Sequence, residues 1–197
     1  MSLARVADSD VATIVTTLEM RQSPPLRPAP SCSLRLKRWH SPEPERYRTL
    51  FRRVGERWLW FSRLVMGDDA LLKIISDPQV EVYAAIDSRG IEVGMLELDL
   101  RRAGETEISY FALVPELAGQ GLGRWLMAQA LTLAWRPGTS RVWLHTCTLD
   151  HPSALNFYRA QGFRPVARTI ETFADPRAIG VLPTDVAPQI PYLAKAR

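Results

Sequence analysis

Apolar and polar positions along this chain change period repeatedly, and each change predicts an element. VATIVTTLEM (11–20) is rich in β-branched residues and reads as a strand. SPPLRPAPS (23–31) is a proline-dense connector that cannot be helical. LRLKRW (34–39) alternates apolar and basic positions, which predicts a strand with one wet face. Ser41 before Pro42 and Glu43 marks a helix start. The helix that follows carries Tyr47, Leu50, Phe51, Val54 and Trp58 on one face and arginines on the rest. WLWFSRL (58–64) is strongly aromatic and reads either as packing between helices or as a wall of a binding pocket.

GDDALLKIISDP (67–78) predicts a short helix stopped at Pro78. Strands follow at 81–87, 91–100 and 105–114, the first two joined by the turn SRG. Residues 120–135 predict a helix with Leu122, Trp125, Leu126, Leu133 and Ala134 inward, ended by Pro137-Gly138. RVWLHTCTL (141–149) predicts a strand. Residues 151–161 predict a helix with Pro152 in its first turn and Gly162 as its stop. A last strand covers 163–173, and 174–197 reads as an irregular arm. This order implies an α/β fold with a mixed central sheet of six to seven strands flanked by helices. The expected organisation is one domain: an N-terminal strand and connector (1–32), a core (33–173) and a C-terminal arm (174–197).

Composition narrows the function classes. The chain has 197 residues, enough to bury one sizeable core, and 23% charged residues with six Trp, which excludes a disordered chain. No apolar run approaches a membrane span, and Asp8 and Asp10 stand where a signal peptide would be apolar. The expectation is a cytoplasmic protein with no membrane partner. Cys32 and Cys147 follow no metal spacing and read as plain thiols, and no metal is expected. Residues 1–65 hold 12 Lys/Arg against 6 Asp/Glu. That basic third allows an anionic ligand or nucleic acid. No recognition-helix or RNA-binding signature accompanies it, so nucleic acid is the weaker alternative.

LVPELAGQGLGRWL (113–126) carries the chemistry. A strand ends, three glycines follow at alternate positions (Gly119, Gly121, Gly123), and a helix begins. Such a turn gathers backbone N–H groups at a helix N-terminus, where an anion binds. Glycine leaves the N–H groups approachable. The spacing G-x-G-x-G is neither a dinucleotide fingerprint nor a P-loop.

This stretch resembles the acyl-coenzyme A binding loop of the GNAT superfamily of N-acetyltransferases, Arg/Gln-x-x-Gly-x-Gly/Ala. Gly121 and Gly123 match that pattern. Ala118 stands where Arg or Gln is usual, with Gln120 and Arg124 as neighbours able to compensate. HPSALNFYRAQGF (151–163) resembles a second segment of the family, Asn-x-x-Ala-x-x-x-Tyr-x-x-x-Gly-Phe. Ala154, Tyr158, Gly162 and Phe163 fit, while His151 replaces the common Asn. The resemblance covers roughly residues 80–173.

The resemblance implies a GNAT-like fold with splayed central parallel strands, 105–114 and 141–149. It implies acyl transfer from acetyl-CoA to a primary amine by direct attack. Tyr158 takes the role of proton donor to the leaving thiolate, since a phenol is protonated at neutral pH. Glu107 is the first candidate for the general base, with Glu97 and His145 as competitors and a water chain as a further option. The implied cofactor-binding residues are Leu113, Val114, Ala118, Gly119, Gln120, Gly121, Leu122, Gly123, Arg124, Asn156 and Tyr158, with Ser153 and Arg159 as further candidates.

The acceptor side falls to WLWFSRL, Trp39, Tyr83 and the arm. The arginines of the first helix suggest an acidic acceptor, whereas the aromatics suggest an apolar or cationic one. Small amine or protein terminus, monomer or homodimer, all stay open. Two other readings of the same fold are a non-catalytic acyl-CoA sensor and a transferase of another acyl group.

Overall fold

The computed structural model describes residues 3–25 and 32–193, so most of the proline-dense connector and the last four residues lie outside it. Seven strands form one sheet: β1 (Asp10–Met20), β2 (Arg35–Trp39), β3 (Val80–Ile86), β4 (Glu92–Asp99), β5 (Glu105–Leu113), β6 (Arg141–Cys147) and β7 (Arg164–Ala174). Their spatial order is β2-β3-β4-β5-β6-β1-β7. β5 and β6 run parallel, and the other neighbours run antiparallel. The described helices are α1 (Pro44–Gly55), α2 (Asp68–Ile75), α3 (Leu122–Ala134) and α4 (Ala154–Ala160). This mixed sheet flanked by helices is the α/β architecture that the element order predicts.

β3 and β4 are buried along nearly their whole length, with α1 and α3 packed against β4 and α2 against β3. α1 shows what holds a helix here. Its N-cap residue, Glu43, makes no side-chain cap hydrogen bond, an interaction typically worth about 1 kcal/mol. Tyr47, Leu50, Phe51 and Val54 are almost fully buried, and each such side chain contributes about 1.5–3 kcal/mol. Packing therefore outweighs the missing cap.

Three local expectations need correction. The first helix starts at Pro44, not Ser41, which sits at φ +46° outside it. The reason is that Pro44 presets the helical φ at the first position and pushes Glu43 to extended ψ. Trp58 does not extend the apolar face of that helix. The α-helix ends at Gly55, a 3-10 turn covers Glu56–Trp58, and Leu59 turns the chain through φ +56°. The helix expected over 151–161 covers Ala154–Ala160, and Pro152 lies in the preceding turn.

The feature that positions the site is a split in the sheet. β5 and β6 pair at Glu105↔Arg141, Thr106↔Val142 and Glu107↔Trp143, with no pair further along. A bulge lies just beyond. Leu98 of β4 faces Ile108 while Glu97 faces Tyr110, so Ser109 is an extra residue in β5. Bulges bend a strand and increase its twist, and here the bend carries β5 away from β6.

The described part of the arm, 175–193, is irregular, yet it is anchored. Arg177 is 3% exposed and donates to Asp175 Oδ2 at 2.7 Å and to the Ile190 carbonyl at 2.9 Å. Leu182 and Ala187 bury themselves with Leu59 and Val11 in a small second cluster. Gln189 donates to the Arg57 carbonyl at 2.7 Å.

Candidate active site

A cavity of about 730 Å³ opens where β5 leaves β6. One end is walled by the loop after β5 and by α4, and the other by the segment 58–62, β1 and β7.

At the loop end, Gly119 and Gly121 both adopt φ +76°, a backbone conformation that side-chain-bearing residues rarely hold. Their function in the turn is therefore geometric. Gly123 has ordinary helical geometry, and a Cβ there would meet only the Phe157 ring at 3.7 Å. The glycine turn leaves five successive amides, Gly119 to Gly123, donating to no described backbone group. The last two belong to the first turn of α3, whose N–H groups have no intrahelical partner. A run of unpaired N–H groups at a helix N-terminus suits a pyrophosphate. Ala118, Gly119, Gly121, Gly123 and Arg124 line the cavity. Gln120 and Leu122 do not. The Gln120 amide group donates instead to the Glu116 carbonyl at 3.1 Å, so any contribution from residue 120 to an anion comes from its backbone.

The expected backbone role of Val114 needs correction. Its N–H donates to the Val93 carbonyl at 2.9 Å, and its own carbonyl accepts from Leu117 at 3.0 Å. Strand alternation then aims the backbone of Phe111 and Leu113 at the split, where a peptide-like ligand would find donors and acceptors. Phe111 carried no sequence signal for this, since the bulge sets the alternation.

α4 brings Tyr158 to the cavity. The side chain is 9% exposed and its ring meets Phe111, Phe157 and Phe163 edge-on. Burial raises the phenol well above its ordinary pKa, and the Asp150 carboxylate adds to the rise. The hydroxyl is therefore a proton donor across the neutral range. His151, where the family pattern has Asn, sits in the turn before α4. Its Nδ1 accepts the Ser153 N–H at 3.2 Å, as an Asn oxygen would in an Asx turn. Ser153 and Ala154 line the cavity, whereas Asn156 and Arg159 do not.

The three base candidates separate clearly. Glu97 is 1% exposed and held by Tyr47 at 2.6 Å and Arg63 at 2.7 Å, so it faces the core and not the cavity. His145 lines the cavity. Glu107 lines a smaller polar pocket of about 350 Å³ beyond the paired end of the strands, together with Asp99, Arg102 and Trp143. The two meet through the split, with His145 Nδ1 3.7 Å from Glu107 Oε1. Burial, aided by the Asp99 carboxylate, pushes the Glu107 carboxyl up to about 7.

The opposite end is aromatic. Trp58, Trp60, Phe61, Tyr110 and Phe173 line it, and Phe61 lies 4.9 Å from Phe173 between ring centres. Asp150 ties this wall to the β6–α4 turn. It accepts from Thr146 Oγ1 at 2.6 Å, from the Cys147 N–H at 3.0 Å and from Trp60 Nε1 at 3.4 Å. Of the two readings of WLWFSRL, the pocket wall holds for residues 58–62. Trp39 and Tyr83 lie in the core away from the cavity. The arginines of α1 line it nowhere either.

A family model described as the acetyltransferase (GNAT) family matches residues 34–163. No curated protein matches the chain. Similar solved structures include a functionally unknown conserved protein from Staphylococcus epidermidis, 13% identical, covering 84% of this chain and 63% of that one, with a TM-score of 0.55. A GCN5-related N-acetyltransferase from Sphaerobacter thermophilus is 18% identical, covering 83% and 51%, with a TM-score of 0.56. An aminoglycoside acetyltransferase from an uncultured soil metagenomic sample, in complex with sisomicin, is 18% identical, covering 66% and 88%, with a TM-score of 0.51. At these identities the likeness shows the fold alone. The chain spans between half and two thirds of the length of the first two structures. The family match extends over the glycine turn, the split strands and α4, and the chain belongs to the acetyltransferase (GNAT) family.

Proposed function

We propose that the protein transfers an acetyl group from acetyl-CoA to a primary amine by direct attack. One observation carries this reading: the unpartnered amides of Gly119, Gly121 and Gly123 at the head of α3 belong to residues that line the same cavity as the buried phenol of Tyr158. The amides, with Arg124 beside Gly121, suit the pyrophosphate of coenzyme A. The backbone of Phe111 and Leu113 suits the amides of its pantetheine arm. The thioester then falls in the split, near Tyr158.

The amine arrives protonated and must lose a proton before it attacks. His145 faces the cavity and takes that proton, and Glu107 behind it, with its raised pKa, receives it in turn. The amine lone pair forms a bond to the thioester carbonyl carbon. The carbon–sulfur bond breaks, the leaving thiolate takes the proton of the Tyr158 hydroxyl, and the second proton of the attacking nitrogen passes to the Tyr158 phenolate as the neutral amide forms. The products are an N-acetyl amine and free coenzyme A.

The test incubates the protein with acetyl-CoA and a panel of primary amines, and follows thiol release together with the mass of the product. A gain of one acetyl group on the amine, matched by thiol release, supports the reading. Thiol release with no acetylated amine would reduce it to hydrolysis. Neither product at any amine would leave an acyl-CoA-binding protein without transfer activity.

A further inference from the structure

We propose that the acceptor end of the cavity takes an amine carried on an aromatic or bulky apolar body, and discriminates against amines that also bear a carboxylate. This rests on the transfer reading above and names its substrate class.

Charge placement carries the argument. Arg124, at the loop end, is the one Lys or Arg among the lining residues. Of the basic side chains of α1 that suggested an acidic acceptor, Arg46 pairs with Glu92 and Arg48 with Asp68, and none of the four arginines lines the cavity. Arg57 lies over the Trp58 ring at 5.8 Å but does not line the cavity. The lining carboxylates are Asp150 and Glu171. Asp150 already accepts three protein hydrogen bonds. Glu171 is exposed and makes no ion pair with another described residue. Its position follows from register. Thr13 faces Glu171 on β7, while Thr17 faces His145 on β6. Alternation along β1 then puts Glu171 and His145 on one face of the sheet. Glu171 thus faces the cavity from the same side of the sheet as His145, four residues further along β1 and away from the reacting centre.

Shape carries the rest. The aromatic wall offers π-faces that suit a ring, an alkyl body or a cation. The wall is also fixed: Leu59 in the middle of it is 2% exposed and packed by Leu182 and Ala187 of the arm. A carboxylate on the acceptor would find Glu171 as its neighbour and no lining Lys or Arg to pair with at this end. Like-charge juxtaposition of that kind is how a site rejects a competitor.

Calorimetric binding of 2-phenylethylamine, phenylalanine and putrescine to the protein loaded with coenzyme A tests the proposal without turnover. 2-Phenylethylamine is expected to bind at least about tenfold more tightly than either competitor. Glu171→Gln and Trp58→Ala should each weaken it several-fold, with acetyl-CoA binding unchanged as the control for folding. Glu171→Lys should narrow or reverse the preference over phenylalanine. Phenylalanine or putrescine binding as tightly as 2-phenylethylamine, no amine binding at all, or an unaltered preference in Glu171→Lys would overturn it. Binding in the expected order with no thiol release would instead sink the transfer reading and leave this preference standing.

Discussion

The two ends of the cavity are built in opposite ways. The loop end comes from two segments, residues 111–124 and 153–158, and it works through backbone amides and helix termini. The aromatic end is assembled from Tyr110 and residues 13–15, 58–62, 145–151 and 171–173, and it works through side chains. Its segment 58–62 is braced by an arm more than a hundred residues downstream. An end made of backbone is dictated by a few local residues. An end made of side chains from distant segments is free to take another shape whenever any segment changes. The comparison teaches that donor binding and acceptor choice are separable here, and single substitutions can test the separation.

Tyr158→Phe gives the largest expected effect. Removing the proton donor should lower kcat by about 10²–10⁴-fold and leave acetyl-CoA affinity unchanged. Steady-state kinetics beside calorimetry reads both, and a weakened affinity with unchanged kcat would make Tyr158 a binding group.

Arg177→Ala comes next. It leaves the buried Asp175 carboxylate unpaired, a change that costs about 3–5 kcal/mol where the pair is fully buried. The melting temperature should fall, and the acceptor KM should rise while acetyl-CoA binding persists. Equal loss at both ends would erase the distinction between them.

Glu107→Gln sharpens the picture through pH. Burial raises this carboxyl to about 7, so the folded state holds its proton more tightly than the unfolded chain does. Its ionisation therefore costs nothing below about pH 4.5, a growing amount between there and 7, and at most about 3 kcal/mol above 7. The variant should be relatively more stable at pH 8 than at pH 4, by chemical denaturation. It should also lose the rise in rate through about pH 7 that an ionising Glu107 produces. A rate limb that survives intact would assign it to another group.

Gln120→Ala is the smallest. Its side chain is tied to the Glu116 carbonyl and not to the cavity, so acetyl-CoA affinity should change less than about twofold. A tenfold loss would give the side chain a direct role and weaken the backbone account.

What was legible in the sequence follows the same division. Periodicity placed all seven strands and four helices, because burial of one face writes itself into the pattern. The spacing of Gly119 and Gly121 announced the turn, since a left-handed backbone nearly demands glycine. Local hydrogen bonding was harder to read. The commitment of the Val114 backbone to Val93, and the extra residue at Ser109, depend on register between strands, which residue types do not encode. Trp58 looked like one more apolar residue on a helix face, because nothing in its spacing shows that the helix stops at Gly55. Glu171 looked like any polar position of the last strand. Its place beside the aromatic wall comes from β1 inserting between β6 and β7, a contact across more than 150 residues.

The most direct test of the account is calorimetric titration of acetyl-CoA into the protein and into Gly121→Trp, with circular dichroism confirming that the variant folds. The account predicts saturable one-site binding, weakened by about a hundredfold or more when a side chain is forced into the left-handed turn. No binding to the native protein at about 1 mM acetyl-CoA, or undiminished binding to the variant, would contradict it.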